Sequence, residues 1–410
     1  MKPMLDSDPV GRDYVRLALR IERHFEGFVD SYYGPPGIKA QVEAEGTRDV
    51  AELRHDVNAL ADTIAQAEMD DRRRDYLNRQ VRAMDTVLRR LAGEEMSLAE
   101  EAQGCFDITP ERIDESEFEV ALREIEALLP GPGDRPTRLA DWRRQFELSQ
   151  ERSLPVLHTA LAETRRRTAR LFDLPEDEAV DLQLVTDKPW GAYNWYLGNY
   201  RSRVDVNTDL PVRADHTLDL VAHEAYPGHH TEHVIKEQRW YRQAGRLEHS
   251  IQLLIAPESF VAEAIATTAF DVIFPDQAEL AGWLADVFYP AAAIHVDVRQ
   301  QLRLGDALEK LAGVSGNAVF LLHEDRRPEN DVLDYLRHYG LHIDQQARRR
   351  LRFISDPRFR TYTFNYFYGR HLLKQAGEAG SLLDVFRWAV SEPVTPSAIA
   401  ARGLPETADP

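Results

Sequence analysis

The sequence predicts a mainly α-helical protein with a small β-hairpin or sheet beside a histidine-rich helix. Three observations carry that expectation. Apolar residues recur at three-to-four spacing through most of the chain, among many Arg, Glu and Ala. One stretch, 181–207, instead gathers β-formers, glycine and aromatics. The segment Val221-Ala-His-Glu-Ala-Tyr-Pro-Gly-His-His-Thr-Glu-His233 packs four histidines and two glutamates into eleven residues, just after an amphipathic helix.

Taken in order, helical periodicity covers 9–30, 48–67, 70–92, 115–128 and 136–172. Tyr14, Leu17, Ile21 and Phe25 form one such stripe; Leu77, Val81, Met84, Val87 and Leu91 form another. Gly34–Gly37 and Leu129–Asp134 read as loops. The second divides an N-terminal helical lobe, 1–134, from a lobe of helices with a small β element, 135–410, unless the two form one continuous domain. A chain of 410 residues can bury a large core either way. With 50 Lys+Arg against 69 Asp+Glu, the net charge is -19, which argues against nucleic acid and anionic membranes as partners. The Arg-rich runs at 72–74, 165–167 and 348–350 lie among acids and read as solvated helix faces. Cys105 is the only cysteine, which excludes a disulfide framework and a thiolate metal site. The N-terminus lacks an apolar signal segment and no run is long enough to span a bilayer, so a cytoplasmic protein is expected.

The β-prone stretch holds Asp181–Thr186 and Asn199–Asn207, with Trp190–Gly198 between them. A hairpin here can offer an edge strand to an extended peptide, with Asn207 a candidate substrate contact. The competing reading is a small structural sheet with core aromatics.

His223-Glu224 offers an imidazole for a metal and a neighbouring carboxylate that can take a proton from an activated water. In the common zinc-hydrolase motif the second histidine follows at i+4, but that position is Pro227 here. On a straight helix His229, at i+6, lies roughly 120° around from His223 and ~9 Å along the axis. His230, at i+7, returns to the same face ~10 Å away. Neither spacing brings two imidazoles to ~2.0–2.1 Å from one zinc. The helix must therefore break, and Pro227-Gly228 supplies the break. One helix is expected to end near Tyr226 and another to begin near Gly228, folding His229 back towards His223.

A third ligand is expected from another helix. Glu258 is the leading candidate, because Val261, Ala262 and Ile265 share its face and a carboxylate among apolar neighbours needs a partner or a metal. A buried ion pair with an arginine is the alternative for Glu258. Glu263, roughly 140° around the same helix, is expected beside the ligands or in solvent, and is an alternative ligand.

His223-Glu-Ala-Tyr-Pro-Gly-His229 resembles the His-Glu-x-x-Pro-Gly-His signature of domain-of-unknown-function family 885, a bacterial group of metallopeptidase-type proteins related in fold to the large helical gluzincins. The family's Glu-Gly-Trp-Ala block reads Glu258-Ser-Phe-Val261 here, and its late Tyr-x-x-Gly block reads Tyr366-Phe-Tyr-Gly369. A Val-Asp-x-Gly-x-His block corresponds to Val296–Gln301, without its glycine or histidine. The resemblance covers about 135 to the end. It implies a large helical metallopeptidase-like fold, one Zn2+ on His223, His229 and Glu258, Glu224 as general base, and a peptide or small amide as substrate. A catalytically inactive metal-binding protein of the same fold is the alternative.

A rival metal reading lies in the same segment: His229-His-Thr-Glu-His233 matches the inverted His-x-x-Glu-His motif, with His229 and His233 as ligands and Glu232 as base. The forward reading leaves His230 and His233 as supporting residues or alternative ligands. Near the C-terminus Tyr362, Tyr366, Gly369, Arg370 and Leu373 share a helix face. Tyr366 is a candidate hydrogen-bond donor to an oxyanion, and Arg370 a candidate for a substrate carboxylate. Gly369 suggests close approach of another backbone or a ligand. The competing reading of the tyrosine stripe is core packing.

Overall fold

A computed structural model of the chain describes residues 8–188 and 190–403. It is a mainly helical fold with two small sheets. The helices at Val50–Gln66, Asp71–Leu91 and Glu115–Leu128 fall where periodicity expects them, each begun by an aspartate whose carboxylate accepts from a first-turn amide. Their apolar stripes are buried, Leu77, Val81, Met84 and Val87 among them.

Two expected helices differ from the pattern. The first spans Pro9–Glu22 and stops well short of residue 30. Gly27 then takes a left-handed turn at φ +84°, and Val29–Tyr32 forms strand β1. Its antiparallel partner, β5 (Ile251–Leu253), is remote in sequence, so local periodicity cannot reveal the pairing. The expected 136–172 helix is two, Arg135–Arg144 and Gln150–Thr168. Between them Phe146 and Leu148 are buried, and the Leu148 amide donates to the Val212 carbonyl at 2.8 Å. That tether fixes the segment entering the histidine-rich region.

The second sheet has order β2 (Ala179–Val185), β4 (Arg201–Asn207), β3 (Ala192–Gly198). β2 runs parallel to β4, and β3 pairs antiparallel with it. Asn199 and Tyr200, at φ +52° and +61°, make the tight turn of the β3–β4 hairpin. The Trp190–Gly198 stretch is thus itself mostly strand, and β3 lies at the sheet edge.

Buried side chains form two cores. One draws on residues from Val10 to Leu139 together with Tyr241–Phe364, so it takes side chains from both sides of the Leu129–Asp134 loop. The other runs from Phe146 to Ile399. No helix among the described residues is long and apolar enough to cross a membrane.

Candidate metal centre

The histidine-rich segment bends sharply. The helix Ala214–Glu224 ends with Ala225 at φ -121°, ψ -86°, and the next helix is His229–Lys236. Proline at 227 disfavours helical geometry at Tyr226, and the Tyr226–Pro227 bond is cis. Gly228 then runs against the end of the first helix, its amide donating to the Ala222 carbonyl at 2.9 Å. A Cβ there would lie 1.9 Å from the His223 carbonyl oxygen and 2.5 Å from that of Ala222, so no other residue fits. The break begins at Glu224, slightly earlier than the proline alone suggests. It folds His229 back until its ring meets that of His223 edge to face, centroids 4.8 Å apart.

The carboxylate that joins them is Glu263. Donor atoms of His223, His229 and Glu263 all lie within 4.8 Å of one another. His223 Nε2 is 3.6 Å from Glu263 Oε2. Tyr362 donates to Glu263 Oε1 at 2.9 Å, while Oε2 is buried with no hydrogen-bond partner. The expectation for Glu258 is corrected: its carboxylate is held by the Tyr76 hydroxyl (2.7 Å) and the Leu253 amide (2.8 Å). Both glutamates belong to the helix Pro257–Ile273, which is buried on nearly all sides. A helix without a solvated face offers no apolar stripe by which to choose between them.

The residues present fit a divalent metal. Burial lowers His223 and His229 to about 3, with a contribution from neighbouring histidines, so both imidazoles are neutral donors. Burial, then the charge of Asp30, pushes Glu263 up to about 8, although the Tyr362 hydroxyl opposes the shift. Burial, Glu263 and Asp30 push Glu224 up to about 8 as well. This is a cluster that lacks positive charge, with an orphaned oxygen facing two imidazoles. Two nitrogens and one carboxylate oxygen form a donor set that suits zinc.

Glu224 follows His223 and is 9 % exposed. The Asn194 side-chain amide of β3 donates to its backbone carbonyl, and the Asn194 backbone N–H faces its carboxylate and partly offsets the upward shift. It faces a cavity of about 360 Å³ that also contains the metal-donor cluster. Trp190, Tyr193, Phe353, Phe359, Tyr362 and Tyr366 supply aromatic walls. Tyr366 is 39 % exposed and so is a cavity wall, not core.

The remaining expected residues scatter. His233 lines the cavity, its ring stacked 6.3 Å from that of His229. Glu232 is buried and bonded to Lys236, which leaves the inverted motif without a base in the cavity. His230 is turned away, bonded to Ser202 (2.8 Å) and Glu178 (2.9 Å). Arg370 does not reach the cavity, since its guanidinium is engaged by the Thr267 carbonyl, Asp271 (2.9 Å) and Glu309 (2.8 Å). Asn207 is not in the wall either; its amide donates to the carbonyls of Lys188 and Trp190 and so shapes the loop that presents Trp190. Sequence reasoning missed Asp30 and Asn194, which line the cavity from β1 and β3. No local motif marks either, because strand pairing brings them there.

No family model matches the chain, and no curated protein matches it. Among solved structures it is similar to a candidate lipoprotein from Colwellia psychrerythraea, at 15 % identity and a TM-score of 0.54, over 85 % of this chain and 65 % of that one. The chain thus spans about two thirds of that protein's length. It is also similar to a candidate lipoprotein of unknown function from Shewanella oneidensis, at 11 % identity and a TM-score of 0.50, over 86 % of this chain and 72 % of that one. An M32 carboxypeptidase from Deinococcus radiodurans R1 aligns over 96 % of this chain and 94 % of its own, at 11 % identity and a TM-score of 0.44. The first two likenesses show a shared fold.

Proposed function

We propose that the protein is a metal-dependent hydrolase, with zinc as the metal, that cleaves peptide or peptide-like amide bonds. One observation carries this reading: two neutral histidines and an orphaned carboxylate oxygen converge beside Glu224 at the wall of one cavity. A divalent ion bound there would polarise a carbonyl and make water a stronger nucleophile. His223, His229 and Glu263 would hold it. Glu224 takes a proton from the attacking water and passes it to the departing nitrogen. It must be ionised to begin, and a nearby cation favours that state by offsetting the repulsion from Glu263 and Asp30. Tyr366, on the cavity wall, donates a hydrogen bond to the carbonyl oxygen as charge builds on it. The aromatic walls suit an apolar side chain, and the cavity volume suits a short substrate.

Metal analysis combined with a peptide-library cleavage assay tests the reading. Wild-type protein and Glu224→Gln should both carry one zinc, with cleavage at least ~100-fold slower in the variant. Wild-type turnover by Glu224→Gln would remove Glu224 from the chemistry. Zinc without cleavage by either protein would leave a metal-binding protein without catalysis.

A further inference from the structure

Among the described residues, the ionisable groups of the cavity wall other than histidine and tyrosine are all acidic. Asp30, Glu224, Glu258 and Glu263 line it, and no lysine or arginine does; Arg350, whose charge acts on Tyr366, lies outside the lining. Glu224, Glu263 and Glu258 are accounted for as base, metal donor and a carboxylate satisfied by Tyr76 and Leu253. Asp30 is not. It enters from β1, accepts a hydrogen bond from Tyr193 through Oδ1, and has no partner for Oδ2 among the described residues. It lines the same cavity as Glu224 and Glu263, which places it beside the reacting centre. A second, independent observation is Asn194. It is 8 % exposed and lines the same cavity, and its Oδ1 is buried without a partner while its amide donates to the Glu224 carbonyl. Trp190 and Tyr193 stand beside these acceptors, ring centroids 5.6 Å apart.

A carboxyl oxygen without a partner, an orphaned amide oxygen and aromatic faces form a receptor for an ammonium group. They offer nothing to a substrate carboxylate. Resting on the hydrolase reading, we infer that Asp30 and Asn194 bind the free α-amino group of the substrate, so the protein removes residues from the amino end of short peptides. The α-amino nitrogen is one carbon from the carbonyl under attack, so its receptor must lie close to Glu224 and the metal donors, as Asp30 does. The reaction needs no co-reactant besides water. Water adds to the first carbonyl carbon, the C–N bond breaks, and the products are one amino acid and a shortened peptide with a new amino end.

The test uses the full-length, zinc-loaded protein with phenylalanine p-nitroanilide and its N-acetyl derivative. The free amine should be preferred by at least about 100-fold in kcat/KM, because acetylation leaves the buried acceptors unpaired. Asp30→Asn should reduce that preference by about tenfold or more, chiefly through KM. Equal or faster cleavage of the acetylated compound overturns the amine site while leaving the hydrolase reading intact. Should neither compound be cleaved, calorimetry on Glu224→Gln with phenylalaninamide and N-acetylphenylalaninamide decides. Tighter binding of the free amine, lost when Asp30→Asn is added, would keep the amine site and remove the hydrolase reading. Equal binding overturns the amine site.

Discussion

Glu258 has both oxygens satisfied by Tyr76 and Leu253, whereas Glu263 has one held by Tyr362 and one aimed at His223. Removing a satisfied carboxylate disturbs packing; removing the open one removes a donor. Glu263→Ala is expected to weaken zinc binding by more than ~100-fold, beyond the usual effect of a residue that only supports a ligand. Glu258→Gln should retain stoichiometric zinc and lose about 1–3 kcal/mol of stability through its disturbed hydrogen bonds. Zinc analysis with denaturant titration checks both, and zinc lost only from Glu258→Gln would restore Glu258 as the ligand. The same residues set a pH dependence. Glu263, raised from 4.5 to about 8, is protonated below that value, so a cation must displace its proton and affinity should rise with pH towards about 8. His223 and His229, lowered from 6.5 to about 3, add no competing proton near neutrality. In the metal-free protein, raised carboxyl values mean stability lost as pH rises from 4.5 towards about 8. Lowered histidine values mean stability lost as pH falls from 6.5 towards about 3. Zinc titrations across pH 5–9 and thermal melts across pH 3–9 test both signs.

At the scale of elements, two glycines hold the centre together. Gly228 lets one helix end and the next begin against the His223 carbonyl. Gly228→Ala should abolish zinc binding while leaving most of the helical circular dichroism, since only the bend is displaced. Gly369 of the Thr363–Glu378 helix lies where that helix crosses Pro257–Ile273, and a Cβ there would be 2.9 Å from Ala264 Cα. Gly369→Ala is expected to cost about 1–3 kcal/mol and to weaken zinc binding, because Ala264 adjoins Glu263. A variant with unchanged melting temperature and zinc content would show that the crossing has slack. The close approach anticipated from Gly369 is thus to a backbone. The helices and the Pro227-Gly228 break were legible because their signals are local: apolar residues at three-to-four spacing, a proline where i+4 should be histidine. β1 was not, since its partner β5 lies far along the chain.

At the scale of the whole molecule, side chains of the N-terminal helices pack against and bond to later parts of the chain. Tyr76 reaches Glu258, Arg73 reaches Glu248, and Asp30 enters the cavity wall from β1. The first core mixes Tyr14, Leu77 and Phe106 with Leu247, Ile251 and Phe260. A fragment of residues 135–410 would bare that second group to water, at about 1.5–3 kcal/mol for each large apolar side chain. It is expected to aggregate or to bind hydrophobic dyes and to lack stoichiometric zinc. A monomeric, cooperatively melting, zinc-bound fragment would show two independent lobes. By itself the sequence determined the helical class, the small β element, the bend, and the grouping of His223, Glu224 and His229 on it. Those features rest on periodicity, on proline and glycine sterics, and on residues close along the chain. Only the tertiary structure decided that Glu263 faces the histidines, that Arg370 and Asn207 do not reach the cavity, and that Asp30 and Asn194 do. Each of these depends on how one buried helix is rotated or which strands pair, and such long-range packing leaves no periodic trace in the sequence.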